Sequence, residues 1–561
     1  MKASTVAVRP TAAAVVAAEV IALAAFAALP PHRFGWWPGA VIGVAALVLL
    51  LITVYRRNAA AWVAARLRWR TRRTTVAAAG VAVDVPCGST MVGVRAEPHE
   101  AITMVEVAGR AYTPTFLRGS ALTYTENLLP LQVLIDNLDQ PGGLRISIDV
   151  VQSGQRVRRG SGYPALYSTL LADRPAAGAR QTRLIVRLDL NDSVEGLVYR
   201  RSIGAAAAAA TDRIVTALRQ HGVRATAVSA EELDEALAQL GAGLAAPPDT
   251  AEEDPADDAD AGSSARRAAV RESAPAVDVG WRTLDAHPGH LSSWYFSPED
   301  ITSASLNQMW SLRSDSVVQV TTITKARCTQ PQGGGPVLVS ALVRTDDPQP
   351  AQQPPTLYLN PLAGDQQAAA LWAAPTQRPR LRLPTATLER PDELEIPIGA
   401  TGVLVGAALH DDLTAHPGIH RDDLVMWALT DPAQVTRILM NTSDFYVRQL
   451  IIRAAAAGER IAIYSDEPSR WHSVSQPNVA VVDLGRAPEF VPTIVVNDRR
   501  GNAPAGLSST VITLADDADP GGPDPDLRFV QTSRSTVRIS TAERTLDVAI
   551  VAFRQEQAWT G

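Results

Sequence analysis

The chain begins with two apolar stretches separated by a short turn. The second stretch, Trp36 to Tyr55, holds 20 residues without a charged side chain. At about 1.5 Å per residue, a helix of this length crosses the roughly 30 Å hydrocarbon layer of a bilayer. Trp36 and Trp37 at one end and Tyr55 at the other resemble the aromatic belts found at membrane interfaces. The pattern predicts a membrane-spanning helix.

The first stretch, Thr11 to Leu29, is rich in alanine and contains one acid, Glu19. Residues 30–35 suffice only for a turn, so we predict a two-helix membrane hairpin within residues 1–55. Glu19 is then tolerated by snorkelling or by facing its partner helix, or it contacts another membrane subunit. A cleaved signal peptide is the alternative, because Ala25-Phe26-Ala27 resembles a cleavage site, although a second span follows at once.

An arginine-rich segment follows the second stretch. Seven arginines lie within 18 residues, whereas the loop between the two apolar stretches carries only Arg33. The positive-inside rule therefore predicts a two-pass protein of the inner (cell) membrane with both termini in the cytoplasm. The seven are Arg56, Arg57, Arg66, Arg68, Arg70, Arg72 and Arg73.

Asn58 to Arg73 is predicted to continue out of the membrane as a helix, within a basic juxtamembrane region of residues 56–75. Trp62 and Trp69 are seven residues apart and share one helix face. At the headgroup layer each arginine gains about 1 kcal/mol from anionic lipid. A plain stop-transfer flank is the alternative. Contacts to lipid or to membrane partners are predicted for Glu19, Trp36, Trp37, Tyr55, Arg56, Arg57, Trp62, Arg66, Arg68, Trp69 and Arg70.

The remaining chain alternates between strand-like and helix-like patterns. Leu144 to Val151 alternates with the period of a half-buried strand, and Gly204 to Gln220 has the apolar stripe of a helix. Ser229 and Glu232 form a capping box for a helix over residues 231–240. Strands alternating with helices predict an α/β layer with crossover helices. The predicted fold class is therefore α/β, with a membrane hairpin, a cytosolic mixed α/β region and a β-rich C-terminal layer.

Residues 241–276 interrupt this pattern. They contain Pro247-Pro248 and then six acidic residues between Glu252 and Asp260, with no apolar periodicity. Such a composition cannot bury enough surface to offset the entropy of ordering, so we predict an acidic disordered linker. It separates a first α/β half (76–240) from a second half (277–478), which is followed by the β-rich layer (479–561).

Composition excludes several functions. The net charge is −6, which argues against a nucleic-acid binder. Lys2 and Lys325 are the only lysines, and neither follows a glycine-rich loop, so a Walker A motif is impossible. Cys87 and Cys328 cannot form a CxxC pair, and we interpret both as reduced thiols in a cytosolic region.

The sequence contains only weak signals for a catalytic or metal-binding site. His410, His416 and His420 lie near Asp411 and Asp412, but their spacing matches no catalytic zinc motif, which favours a polar loop. No GxSxG elbow is present, and the acidic turn at residues 516–526 lacks the final glutamate of a calcium loop. We predict no catalytic residue, no cofactor and no metal site.

Three local stretches, together with the hairpin and the arginine-rich helix, resemble EccE, a membrane component of the actinobacterial type VII (ESX) secretion system. The stretches are Val105 to Phe116, Pro397 to Gly406 and Val447 to Ser465. The similarity extends from the hairpin to about residue 480, so the acidic linker and the C-terminal layer are less characteristic of the family.

The resemblance implies a structural subunit that supports export of small helical substrate proteins and is not an enzyme. It also implies partners of the EccB, EccC and EccD type in a hetero-oligomer, with EccC supplying the ATPase. The second hypothesis is a membrane-anchored transferase-like enzyme with a cytosolic α/β catalytic domain.

Overall fold

The computed structural model describes residues 6–8, 12–29, 35–71, 77–120, 122–160, 162–246, 277–286, 289–326, 335–411, 418–482, 486–499, 509–515 and 524–561. The described α-helices are α1 Ala12–Ala28, α2 Trp37–Leu51, α3 Ala59–Thr71, α4 Leu131–Asp136, α5 Pro164–Leu171, α6 Val194–Leu197, α7 Ile203–Gln220, α8 Ala230–Leu240, α9 Ser303–Gln308, α10 Gln366–Leu371, α11 Asp444–Ala457 and α12 Gln557–Thr560. Short 3-10 turns cover Pro298–Asp300, Met309–Ser311, Pro391–Glu393, Pro468–Val474 and Arg554–Glu556.

The described strands of the first part of the chain are β1 Val6–Val8, β2 Ile52–Val54, β3 Arg57–Asn58, β4 Ala77–Ala78, β5 Ala82–Cys87, β6 Thr90–Ala96, β7 Glu100–Ala108, β8 Thr115–Arg118, β9 Leu122–Thr125, β10 Asp139–Gln140, β11 Leu144–Gln155, β12 Ala179–Asp189, β13 Arg224–Ala227 and β14 Ala245–Ala246. Those of the second part are β15 Asp278–Val279, β16 Leu284–Ala286, β17 Gly289–Phe296, β18 Ser316–Lys325, β19 Val337–Asp347, β20 Leu359–Pro361, β21 Ala386–Leu388, β22 Val403–Ala408, β23 Leu424–Trp427, β24 Thr436–Asn441, β25 Ile461–Ser465, β26 Val479–Val482, β27 Ile494–Asp498, β28 Thr510–Leu514, β29 Leu527–Ser533, β30 Thr536–Ser540 and β31 Thr545–Ala549.

The two N-terminal helices pack against each other as a hairpin. Their contact depends on small residues: a Cβ at Gly39 would lie 2.6 Å from the Phe26 ring, and one at Gly43 would lie 2.9 Å from Cβ of Ala22. Side chains this small let the two backbones approach closely. The two helices are therefore in close contact, and the insertion of this hairpin into a membrane stays a prediction.

The extent of the second helix differs from the prediction. Helix α2 ends at Leu51, because Ile52–Val54 form β2 and pair with Val6–Val8. The 15 residues of α2 cover about 23 Å at 1.5 Å per residue, less than the 20-residue span that we predicted for Trp36–Tyr55. The two-residue strand β3 then precedes α3, so the basic helix does not continue directly from the apolar one.

The larger sheet combines strands from both sides of the acidic segment. Its order is β15-β16-β17-β19-β18-β11-β12-β7-β6-β5, with β10, β13, β20 and β21 paired beside this path. Every pairing in it is antiparallel, for example β11 with β18 through Val150 and Thr321. The alternating pattern predicted crossover helices between parallel strands, and for this sheet that prediction is wrong. For example, α7 leads into β13, which pairs antiparallel with β7.

The larger sheet is covered on both faces. Val105 and Val107 of β7 pack under α7, whereas the alternate residues Ile102 and Met104 pack under α8 and Trp372. This alternation follows from the two-residue period of a strand. The capping box of Ser229 and Glu232 is present at the start of α8, as predicted.

The smaller sheet forms the β-rich layer and carries the parallel part of the fold. Its order is β26-β25-β27-β28-β24-β29-β30-β31-β22-β23-β8-β9, and the strands from β26 to β29 pair in parallel. Helix α11 connects β24 to β25 and is buried along most of its length. The mixed α/β class with a β-rich layer is confirmed. The predicted domain boundaries stay a prediction, and residues 247–276 of the linker lie outside the described residues.

Candidate functional site

The chain between the helical hairpin and α3 makes a tight turn that touches the larger sheet. Val54 pairs with Arg57, which leaves Tyr55 and Arg56 as the two turn residues, with φ of +48° and +60°. Positive φ at both positions is the type I′ geometry, which usually selects asparagine and glycine. Backbone strain of this kind persists where surrounding contacts fix it. Here the Tyr295 hydroxyl donates to the Tyr55 carbonyl at 2.8 Å.

We call the contact region between this turn, α3 and the folded α/β region the junction. Arg57 forms its central polar contact. Its Nη2 lies 2.6 Å from Oδ2 of Asp365, and its Nη1 donates to the carbonyl of Ala363 at 2.8 Å. The side chains of Arg57 and Asp365 are 20% and 12% exposed, so water screens their pairing only in part. The neighbouring pair of Arg56 with Glu299 is 3.3 Å long, with the glutamate 62% exposed.

Three tryptophans, Trp62, Trp69 and Trp281, form what we call the tryptophan cluster. The ring centroids of Trp69 and Trp281 are 5.6 Å apart at 74°, and those of Trp62 and Trp281 are 6.3 Å apart at 49°. The guanidinium carbon of Arg66 lies 4.5 Å from the Trp69 centroid and 4.9 Å from that of Trp281. Edge-to-face rings and a cation over their faces attract electrostatically in addition to burying apolar area.

Trp281 is held in place by a glycine. The amide of Gly364 donates to the Trp281 carbonyl at 2.7 Å. Gly364 has φ of +80°, and a Cβ there would lie 2.5 Å from the Trp281 ring. Both the conformation and the close approach therefore require glycine, one residue before Asp365.

The segment that carries Asp365 is itself fixed to the sheet by buried arginines. Arg187 donates to the carbonyls of Thr376 and Ala374 at 2.6 and 3.0 Å and pairs with Asp149 at 2.6 Å. Arg378 pairs with Asp149 at 2.7 Å. Burial alone would raise the pKa of the Asp149 carboxyl, but Arg378 and Arg187 outweigh it and hold that pKa below its usual range. Buried ionic contacts thus hold the chain after Asp365 to the larger sheet.

Comparison with known proteins identifies the family. Residues 176–290 match the family model described as "Putative type VII ESX secretion system translocon, EccE". The chain is 30% identical over 492 residues to the ESX-2 secretion system protein EccE2 of Mycobacterium tuberculosis, covering 83% of this chain and 82% of that protein. The chain belongs to the EccE family. It is also 28% identical over 433 residues to the ESX-5 secretion system protein EccE5 of the same species, covering 71% of this chain and 97% of the relative. The resemblance drawn from the sequence is confirmed.

The predicted contact residues of this EccE-family chain fall into two groups. The first group contacts the folded region. Tyr55 contacts β17 of the larger sheet, Arg56 and Arg57 pair with Glu299 and Asp365, and Trp62, Arg66 and Trp69 contact Trp281. The exposed group consists of Glu19, Trp36, Trp37, Arg68 and Arg70, with Trp36 and Trp37 71% and 62% exposed.

The sequence did not predict the residues of the folded region that contact the basic segment. Trp281, Tyr295, Glu299 and Asp365 lie more than 200 residues from the basic segment along the chain. No local motif marks them, since Trp281 follows the acidic segment in an irregular stretch and Asp365 precedes a six-residue helix.

Two further predictions concern membranes and metals. Among the helices of the described residues, none combines the length and the apolar character that a membrane crossing requires. In the described part of the chain no group of three potential metal ligands occurs. His420 lies 4.0 Å from Asp411, whereas Asp412 and His416 are outside the described residues.

Proposed function

We propose that this EccE-family chain is a structural subunit of an inner-membrane type VII secretion complex and performs no chemistry of its own. The observation that carries the proposal is the junction of Arg57 with Asp365 and of the tryptophan cluster. These contacts join the apolar helical hairpin to the folded α/β region without a flexible linker. A scaffold needs such a connection, because the position of the hairpin then fixes the position of the sheet.

In this proposal the hairpin of α1 and α2 inserts into the bilayer as two passes, with both termini in the cytoplasm. Large apolar side chains on its outer surface support this, including Val16, Leu23, Val44 and Leu49, all more than half exposed. Hydrocarbon is the environment in which such a surface is stable. The helices are shorter than the usual span of about 20 residues, and a bilayer accommodates short spans by thinning locally.

The exposed face of α3 lies at the headgroups in this arrangement. Arg70 shares one side of the helix with Val63 and Leu67, which are 60% and 58% exposed, and Arg68 is exposed on another side. Basic and apolar residues on one face suit the interface between anionic headgroups and acyl chains. The opposite face carries Trp62 and Trp69 and packs on Trp281.

Partners of the EccB, EccC and EccD type are part of the proposal. It is tested by affinity purification of the tagged full-length chain from native membranes, with identification of the proteins that accompany it. We expect an EccB–EccC–EccD-like set with the unchanged chain and a weaker yield of that set with Trp281→Ala. Tyr199→Ala, which removes a 90% exposed aromatic side chain elsewhere, serves as the matched control.

Purification of a clean monomer that turns over a nucleotide sugar would overturn the scaffold in favour of the transferase-like alternative. Topology is tested separately by reporter fusions at Gly80 and at the C-terminus. Periplasmic phosphatase activity from either fusion would contradict the cytoplasmic placement.

A further inference from the structure

One surface loop near the hairpin carries no charge. From Pro348 to Gly364 the chain has 17 residues without an acidic or basic side chain, although charged residues make up 20% of the sequence. We call residues 348–358 the uncharged loop. At its end Leu357 is 70% exposed and Tyr358 is 41% exposed. Surfaces that face water normally carry interspersed charges of both signs, so the composition points to another environment.

Strand pairing places the end of the uncharged loop beside the base of the hairpin. Strand β20 follows the loop and pairs antiparallel with β17, with Leu359 opposite Phe296. Residues 357–358 therefore lie beyond the end of β17, on the side to which the chain of β17 continues to Glu299. Glu299 pairs with Arg56 of the hairpin turn at 3.3 Å. The exposed leucine and tyrosine thus lie at the same end of the sheet as the hairpin turn.

The loop is also fixed beside the tryptophan cluster. Arg282, which directly follows Trp281, donates to the Gln352 carbonyl at 3.3 Å. Asn360, just after the loop, donates to the Ser297 hydroxyl at 3.2 Å. The loop is therefore held near both parts of the chain that the proposed function places at the membrane surface, which are the hairpin turn and α3.

We infer that the uncharged loop contacts the bilayer, with Leu357 and Tyr358 at the boundary between headgroups and acyl chains. The inference rests on the proposed function, because it requires the hairpin to lie in the membrane. It adds a contact made by the folded region itself to those of the hairpin and α3. Such a contact would limit tilting of the larger sheet relative to the bilayer.

The chemistry of the loop suits this boundary. Leucine gains free energy when its side chain leaves water, and tyrosine is enriched at membrane–water interfaces. A loop without charges enters the headgroup layer without the cost of desolvating an ion. The exposed acid at this end of the sheet, Glu299, is paired with Arg56, so their opposite charges offset each other.

The test places a nitrobenzoxadiazole dye at Leu357→Cys of the full-length chain in phospholipid nanodiscs, with Cys87→Ser and Cys328→Ser removing the native thiols. Lipids with a nitroxide on the acyl chain next to the headgroup should lower the fluorescence by about twofold or more, because interfacial segments enter only this outer part of the acyl layer. Lipids with the nitroxide near the acyl-chain end should quench this dye less.

Two further label positions calibrate the measurement. At Val44→Cys in the middle of α2, where the side chain is 61% exposed, the dye should be quenched more by the nitroxide near the acyl-chain end. Val491→Cys is the matched control, since Val491 is 69% exposed and lies outside the junction. Its dye should be quenched by neither lipid.

A charge placed in the loop should weaken the contact. Tyr358→Asp should lower the quenching of the Leu357→Cys dye by about half or more, because the carboxylate would have to leave water. Val491→Asp serves as the control and should leave that quenching unchanged.

The two proposals fail in different ways. If the Val44→Cys dye is quenched but the Leu357→Cys dye behaves like that at Val491→Cys, membrane insertion of the hairpin stands and the inference is overturned. The exposed leucine and tyrosine would then be left for a protein partner. If the Val44→Cys dye is not quenched, the insertion of the hairpin fails and the inference fails with it.

Discussion

The guanidinium of Arg57 and the carboxylate of Asp365 lie 2.6 Å apart, although 308 residues separate them along the chain. Arg57 comes directly after a strained turn, and Asp365 directly after a glycine that supports Trp281. The pair therefore links the turn to the segment that supports Trp281, in addition to the contact of Tyr295 with Tyr55 and the tryptophan cluster. Its removal should loosen the hairpin without unfolding the sheets.

We expect Arg57→Ala to raise hydrogen–deuterium exchange in peptides covering residues 59–71. The reason is that the variant removes two hydrogen bonds of a charged group, those of Arg57 to the Asp365 carboxylate and to the Ala363 carbonyl, and a hydrogen bond of this kind contributes about 1.5–3 kcal/mol. In a double-mutant cycle with Asp365→Ala, the coupling should be about 1–2 kcal/mol. Arg56→Ala is the matched control, and its effect should be below about 1 kcal/mol because Glu299 is exposed. Equal effects of the two arginine variants would contradict this assignment.

Gly364→Ala should destabilise the tryptophan cluster through two separate causes. An alanine with φ near +80° costs about 1–2 kcal/mol, and its Cβ would also collide with the Trp281 ring. Gly399→Ala isolates the first cause, because Gly399 has φ of +76° with no atom within 4 Å of a Cβ. We expect a larger fall of the thermal midpoint for Gly364→Ala. A fall of the same size in both variants would show that the Trp281 ring moves away from the new Cβ at little cost in stability.

Asp149→Asn should change the pH dependence of stability. The folded pKa of Asp149 lies below its ordinary value, so its contribution is present above about pH 4 and is lost as the pH falls through the lower folded value. At neutral pH the variant should therefore unfold at a lower temperature than the unchanged chain. The difference should narrow when thermal midpoints are measured from about pH 6 down to about pH 3.

Asp547→Asn is the control for that series. The pKa of Asp547 is lowered as well, by its hydrogen bond to Arg538, but that pair lies at the surface. Its effect on the midpoint should be small at every pH, because solvent screens exposed pairs. If the difference in thermal midpoint between Asp149→Asn and the unchanged chain grew as the pH fell, the assigned direction of the Asp149 pKa shift would be contradicted.

The C-terminal segment should depend on one buried acid. Glu556 is 1% exposed and accepts from Arg453 at 2.8 Å, from Tyr163 at 2.9 Å and from Gln449 at 2.9 Å. Glu556→Ala leaves the Arg453 charge buried without its carboxylate, which costs about 3–5 kcal/mol. The neighbouring exposed variant Arg554→Ala should have little effect. Thermal midpoints of both variants test this prediction. An unchanged midpoint for Glu556→Ala would show that the stability of α11 does not depend on the pair of Arg453 and Glu556.

Local pattern by itself determined much of the secondary structure. Helix α11 covers Asp444–Ala457, and Gly458 follows it with φ of +121°, as is typical of a glycine after a helix end. The capping box of Ser229 and Glu232 is present, and the strand predicted at 144–151 lies within β11. These features depend on side-chain periodicity and on hydrogen bonds between residues three or four apart, which a sequence displays directly.

Tertiary structure alone decided the length of α2 and the location of the basic helix. The 20 uncharged residues from Trp36 are compatible with a helix throughout, but Ile52–Val54 pair with Val6–Val8 and end it early. Likewise Trp62 and Trp69 share a face suited to a membrane interface, yet that face packs on Trp281, which is more than 200 residues away. Strand pairing and aromatic packing join residues distant in sequence, and such partners are set by the path of the whole chain rather than by any local pattern.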